Sequence, residues 1–216
     1  SKGLKLNASK CQFFKREVSY LGRLVNETGY TMDNTTTQAV RDLAERKFET
    51  VGEVRQLLGL LSYHRRHVQS FAEIAKPITD LLLNHEPIVK TAADGTTKKI
   101  IPSKTKIEWK DEHQQALSQL IHLVTNPPIL AYPDYARDFF IHTDASGKGL
   151  GAILYQTDES GANRVVAYAS RSLKPSERNY HSSKLEFLSM KWAVTEKFRP
   201  YLAYSNHFKV YTDNNP

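Results

Sequence analysis

Apolar positions change period along the chain, and each change predicts an element. Glu17 to Val25 sets Val18, Tyr20, Leu24 and Val25 around a glycine and runs into Asn26-Glu27-Thr28-Gly29, the pattern of a strand and a turn. Thr50 and Glu53 have capping-box spacing, and Val54, Leu57, Leu58 and Leu61 follow at helical intervals, which predicts an amphipathic helix. His64-Arg65-Arg66-His67 stands at its end. Ser70 and Glu73 repeat the box ahead of Ile74, Ile78, Leu81 and Leu82, with Pro77 tolerable only near that helix's first turn. From about Asn84 to Lys106 the periodicity is lost among Pro, Gly, Thr and Lys, predicting an exposed loop between two units.

Helical spacing returns from Asp111 to Val124 through Ala116, Leu117, Leu120, Ile121 and Val124, and Pro127-Pro128 ends it. The period then shortens. Phe139 to Thr143, Gly151 to Gln156 and Arg164 to Ser170 are three strands separated by turn residues, close enough for an antiparallel meander. A long, broadly buried helix is predicted from Ser182 to Tyr201, with Leu185, Leu188 and Trp192 on one side and Phe187, Met190, Val194 and Phe198 on another. Phe208 to Thr212 makes a fourth strand. The fold class is α+β.

Composition narrows the function classes. The 216 residues are 40% hydrophobic, enough for one to three cores. Lys and Arg number 30 against 23 Asp and Glu, a net charge of +7 that favours phosphates or anionic lipid. Residues 1–137 hold 20 of those bases and 15 of the acids, so the electrostatic footprint is expected mainly there. Cys11 is the single cysteine, which excludes an internal disulfide framework and predicts a buried structural thiol. No apolar run reaches the roughly 20 residues that span a bilayer, and SKGLKLNASK has no signal-peptide core. A protein inside the cell, cytoplasmic and neither secreted nor held in a membrane, is expected. Both ends read as cuts in a longer chain.

Three acids fall where elements begin or end: Asp144 after the first strand of the meander, Glu186 early in the long helix and Asp213 after the fourth strand. Carboxylates placed together repel unless they share hard cations such as Mg²⁺, and two such ions can clamp a phosphodiester. Singly, each has a plainer role, Asp144 as a turn former and Glu186 as a solvated charge favoured by the helix dipole. Ser189 and Ala193, at offsets of three and seven from Glu186, form a row of small residues able to approach a sheet.

Taken in order, these segments resemble the polymerase proteins of Ty3/gypsy-type retrotransposons. GLKLNASKCQFFKREVSYLGRLV is similar to the end of the palm with its primer-grip hairpin, and VGEVRQLLGLLSYHRRHVQSFAEIAKPITDLL to the thumb. IEWKDEHQQALSQL with PPILAYPD is similar to the segment beyond. FFIHTDASGKGLGAILYQ, VVAYASRSLKPSERNY, KLEFLSMKWAVTEKFRPYL and FKVYTDNNP resemble the first four strands and first helix of ribonuclease H.

The resemblance implies a division into residues 1–30, end of palm; 31–84, helical thumb; 85–136, linker and connecting helix; and 137–216, a ribonuclease H-like mixed sheet with one long helix. It implies that Asp144, Glu186 and Asp213 are catalytic ligands of two Mg²⁺ ions, or of Mn²⁺ in their place, in hydrolysis of the RNA strand of an RNA–DNA hybrid. Tyr20, Leu21 and Gly22 would touch the primer, and Arg65 and Arg66 the template-primer backbone. A basic helix end also complements its own dipole. The family has aromatic residues where this chain has His64 and His67. Its Tyr-x-Asp-Asp motif would precede this chain, and its fourth acidic ligand would follow Pro216, leaving the remainder of a polyprotein as partner and weak or no cleavage by the chain alone. A non-catalytic nucleic-acid-binding remnant is the alternative; an integrase or transposase fits less well, because thumb-like motifs precede the carboxylates.

Overall fold

The computed structural model describes residues 5, 7, 9, 11–83, 85–91, 94 and 96–213. Three short antiparallel strands open it: β1 (Glu17–Tyr20), β2 (Arg23–Asn26) and β3 (Tyr30–Met32). The stretch read from sequence as one strand is thus folded back on itself. Leu21 and Gly22 both have positive φ, 51° and 75°, giving a two-residue turn whose hand matches the strand twist. Cys11, expected to be buried, is only partly so, and its thiol donates to the Asn7 carbonyl at 3.3 Å.

Asp33 caps α1 (Asn34–Arg41) by accepting from the Thr36 amide at 2.8 Å. The Thr50–Glu53 box opens α2 (Val51–Tyr63) as the sequence predicts, with each residue bonded to the other's amide. The second box does not form. Ser70 takes a left-handed backbone, φ 53°, without a side-chain cap bond, and the predicted helix divides into α3 (Phe71–Ile74) and α4 (Lys76–Asp80). Pro77 explains the break, since it has no amide hydrogen to continue the ladder and is placed in the first turn of α4.

Residues 84–106, predicted as loop, contain the antiparallel hairpin β4 (Ile88–Thr91) and β5 (Thr97–Ile100). Every residue of both strands is exposed, so their pairing rests on backbone bonds and leaves no apolar alternation to read. After it, α5 (Asp111–Thr125) returns as predicted. Its Leu117, Leu120 and Val124 join Leu57 and Leu61 of α2 and Ile78 of α4 in one core.

A second core lies under a four-stranded mixed sheet. The meander β6 (Phe139–Ala145), β7 (Gly149–Thr157) and β8 (Asn163–Ser172) forms as expected. The crossover follows through α6 (Ser182–Trp192), a wide π turn (Ala193–Lys197) and α7 (Arg199–Leu202), and β9 (Phe208–Thr212) then runs parallel to β6. The sheet order is β8-β7-β6-β9. The single long helix predicted from sequence is therefore interrupted: the Phe198 amide bonds the Ala193 carbonyl, five residues back, at 2.8 Å. Burial is also narrower than predicted, for Leu185 and Trp192 are buried while Phe187 is 62% exposed.

The two units meet at β8. Arg65 donates to the Ser170 carbonyl, and the Ser170 hydroxyl accepts from the Ala72 amide at 3.0 Å. Tyr30 and Leu130 exchange two backbone bonds of 2.9 Å, and Ala131 donates to the Val165 carbonyl at 2.8 Å. Gly29 is required there, because a Cβ on it would lie 2.2 Å from the Leu130 oxygen. Among the described residues no helix is long and apolar enough to cross a membrane. Leu120 is fully buried in the first core, so Leu120→Ala is expected to lower unfolding free energy by about 2–5 kcal/mol. A urea titration reads this as an earlier midpoint at unchanged slope; an unmoved midpoint would take Leu120 out of the core.

Candidate nuclease site and nucleic-acid interface

The alternation of β6 sends Phe139, Ile141 and Thr143 into the core and His142 and Asp144 to the opposite, exposed face. In β9, Val210 packs on the core and Tyr211 is exposed. The parallel register pairs Thr143 with Thr212, which brings Asp144 and Asp213 to neighbouring strand ends. Both line one cavity of about 220 Å³, together with Gln69, Ser70 and His142. His142 meets Tyr155 and Tyr211 edge-on, with ring centres 5.4 and 5.0 Å away.

Glu186 reaches the same strand end from the helix side. Its carboxylate accepts from the Thr212 hydroxyl at 3.1 Å. The small-residue row does what its spacing predicts: Ser189 is completely buried, and its hydroxyl is 3.1 Å from both the Asp144 and Gly151 carbonyl oxygens, its one proton shared between them. That contact seats α6 on β6 and β7. The structure thus brings Asp144 and Asp213 together and leaves Glu186 engaged with Thr212. Among the described residues no three His, Cys, Asp or Glu side chains are grouped to hold a metal ion. The donor chemistry of Asp144 and Asp213 fits a hard divalent cation; Glu186 accepts from Thr212 through one oxygen and keeps its other carboxylate oxygen as a donor to a cation.

The other predicted contacts divide between surface and junction. Tyr20 and Leu21 are 65% and 71% exposed at the hairpin tip, where Gly22 completes the turn and the Tyr63 hydroxyl donates to the Leu21 carbonyl at 2.8 Å. Arg65 is largely occupied, lying over the Phe71 ring and donating to Ser170, whereas Arg66 is exposed. Sequence reasoning missed Arg23, which stacks on Tyr30 and Tyr63 with its guanidinium carbon 5.2 and 5.9 Å from their centres. It also missed Gln69 and Ser70 beside the carboxylates. No periodicity signals such long-range neighbours.

His64 and His67 are buried, where the family resemblance implied aromatics, and they act as rings: His64 packs edge-on against Tyr63 and His67 against Tyr30. Burial pushes the His67 pKa down to about 4, reinforced by the positive charge of Arg23, while its bond to the Pro128 carbonyl opposes the shift. Its Nδ1 has no hydrogen-bond partner, so a second ring proton would be stranded.

With the geometry in place, comparison with known proteins is direct. Residues 109–210 match the RNase H-like domain found in reverse transcriptase. This RNase H-like segment includes α5, although α5 packs in the first core. Over 214 residues the chain is 33% identical to the retrovirus-related Pol polyprotein from transposon gypsy of Drosophila melanogaster, covering 99% of the chain and 19% of that relative. It is 26% identical over 210 residues to the transposon Tf2-3 polyprotein of Schizosaccharomyces pombe, covering 97% and 14% respectively. The chain therefore spans less than a fifth of the length of either relative. The foamy viral protease-reverse transcriptase dRH, solved in complex with double-stranded DNA, superposes with a TM-score of 0.73 at 21% identity, covering 94% of this chain and 31% of that one. The foamy viral enzyme in complex with RNA/DNA hybrid gives 0.72 at 21% identity, covering 94% and 24%. These structures share the mixed α+β fold.

A pH dependence follows from His67. Its pKa is lower folded than unfolded, so between pH 6.5 and about 4 the unfolded chain binds the extra proton. Stability is then unaffected by this group above pH 6.5 and falls by roughly 3 kcal/mol toward pH 4. Urea melts across that range are expected to show the loss, and His67→Phe to flatten it; parallel curves would assign the acid sensitivity to other groups.

Proposed function

We propose that this chain is a working part of a retroelement reverse transcriptase that holds template-primer and hydrolyses the RNA of RNA–DNA hybrids. The observation that carries the reading is the placement of Asp144 and Asp213 on neighbouring ends of β6 and β9, facing one cavity. Similarity to retrotransposon Pol polyproteins and an RNase H-like match over residues 109–210 support it. So does the likeness of fold to foamy viral enzymes in complex with double-stranded DNA and with RNA/DNA hybrid.

On this reading residues 1–30 end a polymerase palm, 31–84 form its thumb, 85–136 connect, and 137–216 carry the nuclease. The protein acts inside the cell as part of a polyprotein. Asp144 and Asp213 would be the principal ligands of the cation, and Glu186 the third through the carboxylate oxygen that Thr212 does not engage. When bound, two Mg²⁺ ions supply activation of the attacking water and stabilisation of the leaving oxygen. The chain's own part is to hold the carboxylates on paired strands, fixed from behind by Ser189, at a cavity whose facing wall is Gln69 and Ser70. Tyr20, Leu21 and Gly22 meet the primer at the exposed hairpin tip, while Arg66 and, in part, Arg65 neutralise backbone phosphates without reading bases.

A second reading, binding without turnover, is favoured by the position of Glu186 outside the cavity that Asp144 and Asp213 line. Mg²⁺-dependent cleavage of a labelled RNA–DNA hybrid by a Pol polypeptide containing this chain separates the two. Asp144→Asn and Asp213→Asn are each expected to slow cleavage by about 100-fold or more, with hybrid affinity retained. Cleavage at the unaltered rate in Asp144→Asn would remove the nuclease assignment; hybrid binding without cleavage in the unaltered protein would establish the second reading.

A further inference from the structure

A second cavity, of about 210 Å³, opens between the two units and shares no lining residue with the carboxylate cavity. Its walls bring together four cations from distant parts of the chain: Arg23 of β2, Arg65 and Arg66 beyond α2, and Lys197 in the π turn. Ser62 and Tyr168 add hydroxyl groups, and no carboxylate lines it. Among the described residues none of the four cations forms an ion pair.

Three of the four are held by uncharged groups. Arg23 lies over the Tyr30 and Tyr63 rings, Arg65 is fixed to Phe71 and the Ser170 carbonyl, and Lys197 lies over the Trp192 ring, contacts that orient the cations and leave their charge uncompensated. Lys197 feels that excess: burial pushes its pKa down, Arg65, Arg66 and Arg171 add to the shift, and Glu196 offsets only part. Like charges gathered in a partly enclosed space repel more strongly than in open water. An anion reverses the sign of that interaction.

Size limits the anion. The space of about 210 Å³ lies below the ~300 Å³ at which pockets for drug-sized ligands begin. A phosphate or diphosphate group fits, and guanidinium groups match phosphate oxygens in bidentate geometry. We infer that this cavity is a phosphate-binding site, in which Arg66 and Lys197 contact the anion and Arg23 supports them. The phosphate belongs either to a nucleic-acid strand passing the junction or to a small free phosphate compound.

Calorimetric titration of the full chain with inorganic pyrophosphate, at constant ionic strength and without divalent metal, tests the site. One saturable event is expected, weakened about tenfold or more by Arg66→Gln and by Lys197→Gln. Lys197→Arg is expected to retain binding, and the double variant Lys98→Gln/Lys99→Gln, on the exposed β5, to match the unaltered chain. Melting of the cavity variants is expected no lower than that of the unaltered chain, since each removes a repelling charge. Absence of saturable binding, or equal weakening in the β5 control, would overturn the site; so would loss of binding in Lys197→Arg at unchanged melting. Prior addition of an RNA–DNA hybrid distinguishes the sources: competition identifies a strand phosphate, and simultaneous binding a free one. Asp144→Asn is expected to bind pyrophosphate normally, so failure of the nuclease reading and failure of this one are separately visible.

Discussion

An edge strand presents unpaired backbone groups along its length, and those of β8 constrain much of this molecule. A sheet of order β8-β7-β6-β9 leaves β8 with one side open. The helical unit covers that side at Ser170, whose carbonyl takes the Arg65 guanidinium and whose hydroxyl takes the Ala72 amide, while Ala131 satisfies the Val165 carbonyl. Two hydrophobic cores are thereby set in register by polar groups. The carboxylate cavity inherits this arrangement, because Gln69 and Ser70, just ahead of α3, supply the wall facing Asp144 and Asp213.

This construction separates what holds the site from what performs chemistry in it. The core-facing residues of β6 and the buried hydroxyl of Ser189 position the strand, and Asp144 lies on its other face. Alternation along a strand makes the division possible: neighbours in sequence serve opposite faces. It also explains the divided placement of the three acids, since Thr212 points toward α6 and meets Glu186 while its neighbour Asp213 meets the cavity.

Features encoded by neighbouring residues were legible in the sequence. The Thr50–Glu53 cap, the amphipathic α2 and α5 and the meander all arise from local spacing, and so does the row of Ser189 and Ala193. Illegible features fall into two kinds. The hairpin of β4 and β5 is fully exposed and so has no apolar signature, and the fold-back at Leu21 and Gly22 was implied by the family resemblance, not by apolar alternation. The rest depend on distance: Arg23 meets Tyr63, and Glu186 meets Thr212, through folding of segments whose juxtaposition no local pattern records. Ser70 is instructive, because its capping-box spacing was present and Pro77 still divided the helix that the box would have opened.

The π turn after α6 carries a consequence for chain length. A wide turn accommodates one residue more than an α-helical path would, and each residue of an α-helix advances the side-chain direction by about 100°. Loss of one residue between Ala193 and Glu196 would let α6 continue regularly and leave the following lysine and Phe198 close to their present directions, because four α-helical steps turn the chain about as far as the five steps of the wide turn. Substitutions at exposed positions in that stretch leave the backbone path intact. The wide turn thus absorbs a change of one residue in chain length while the contacts on either side of it keep their phase.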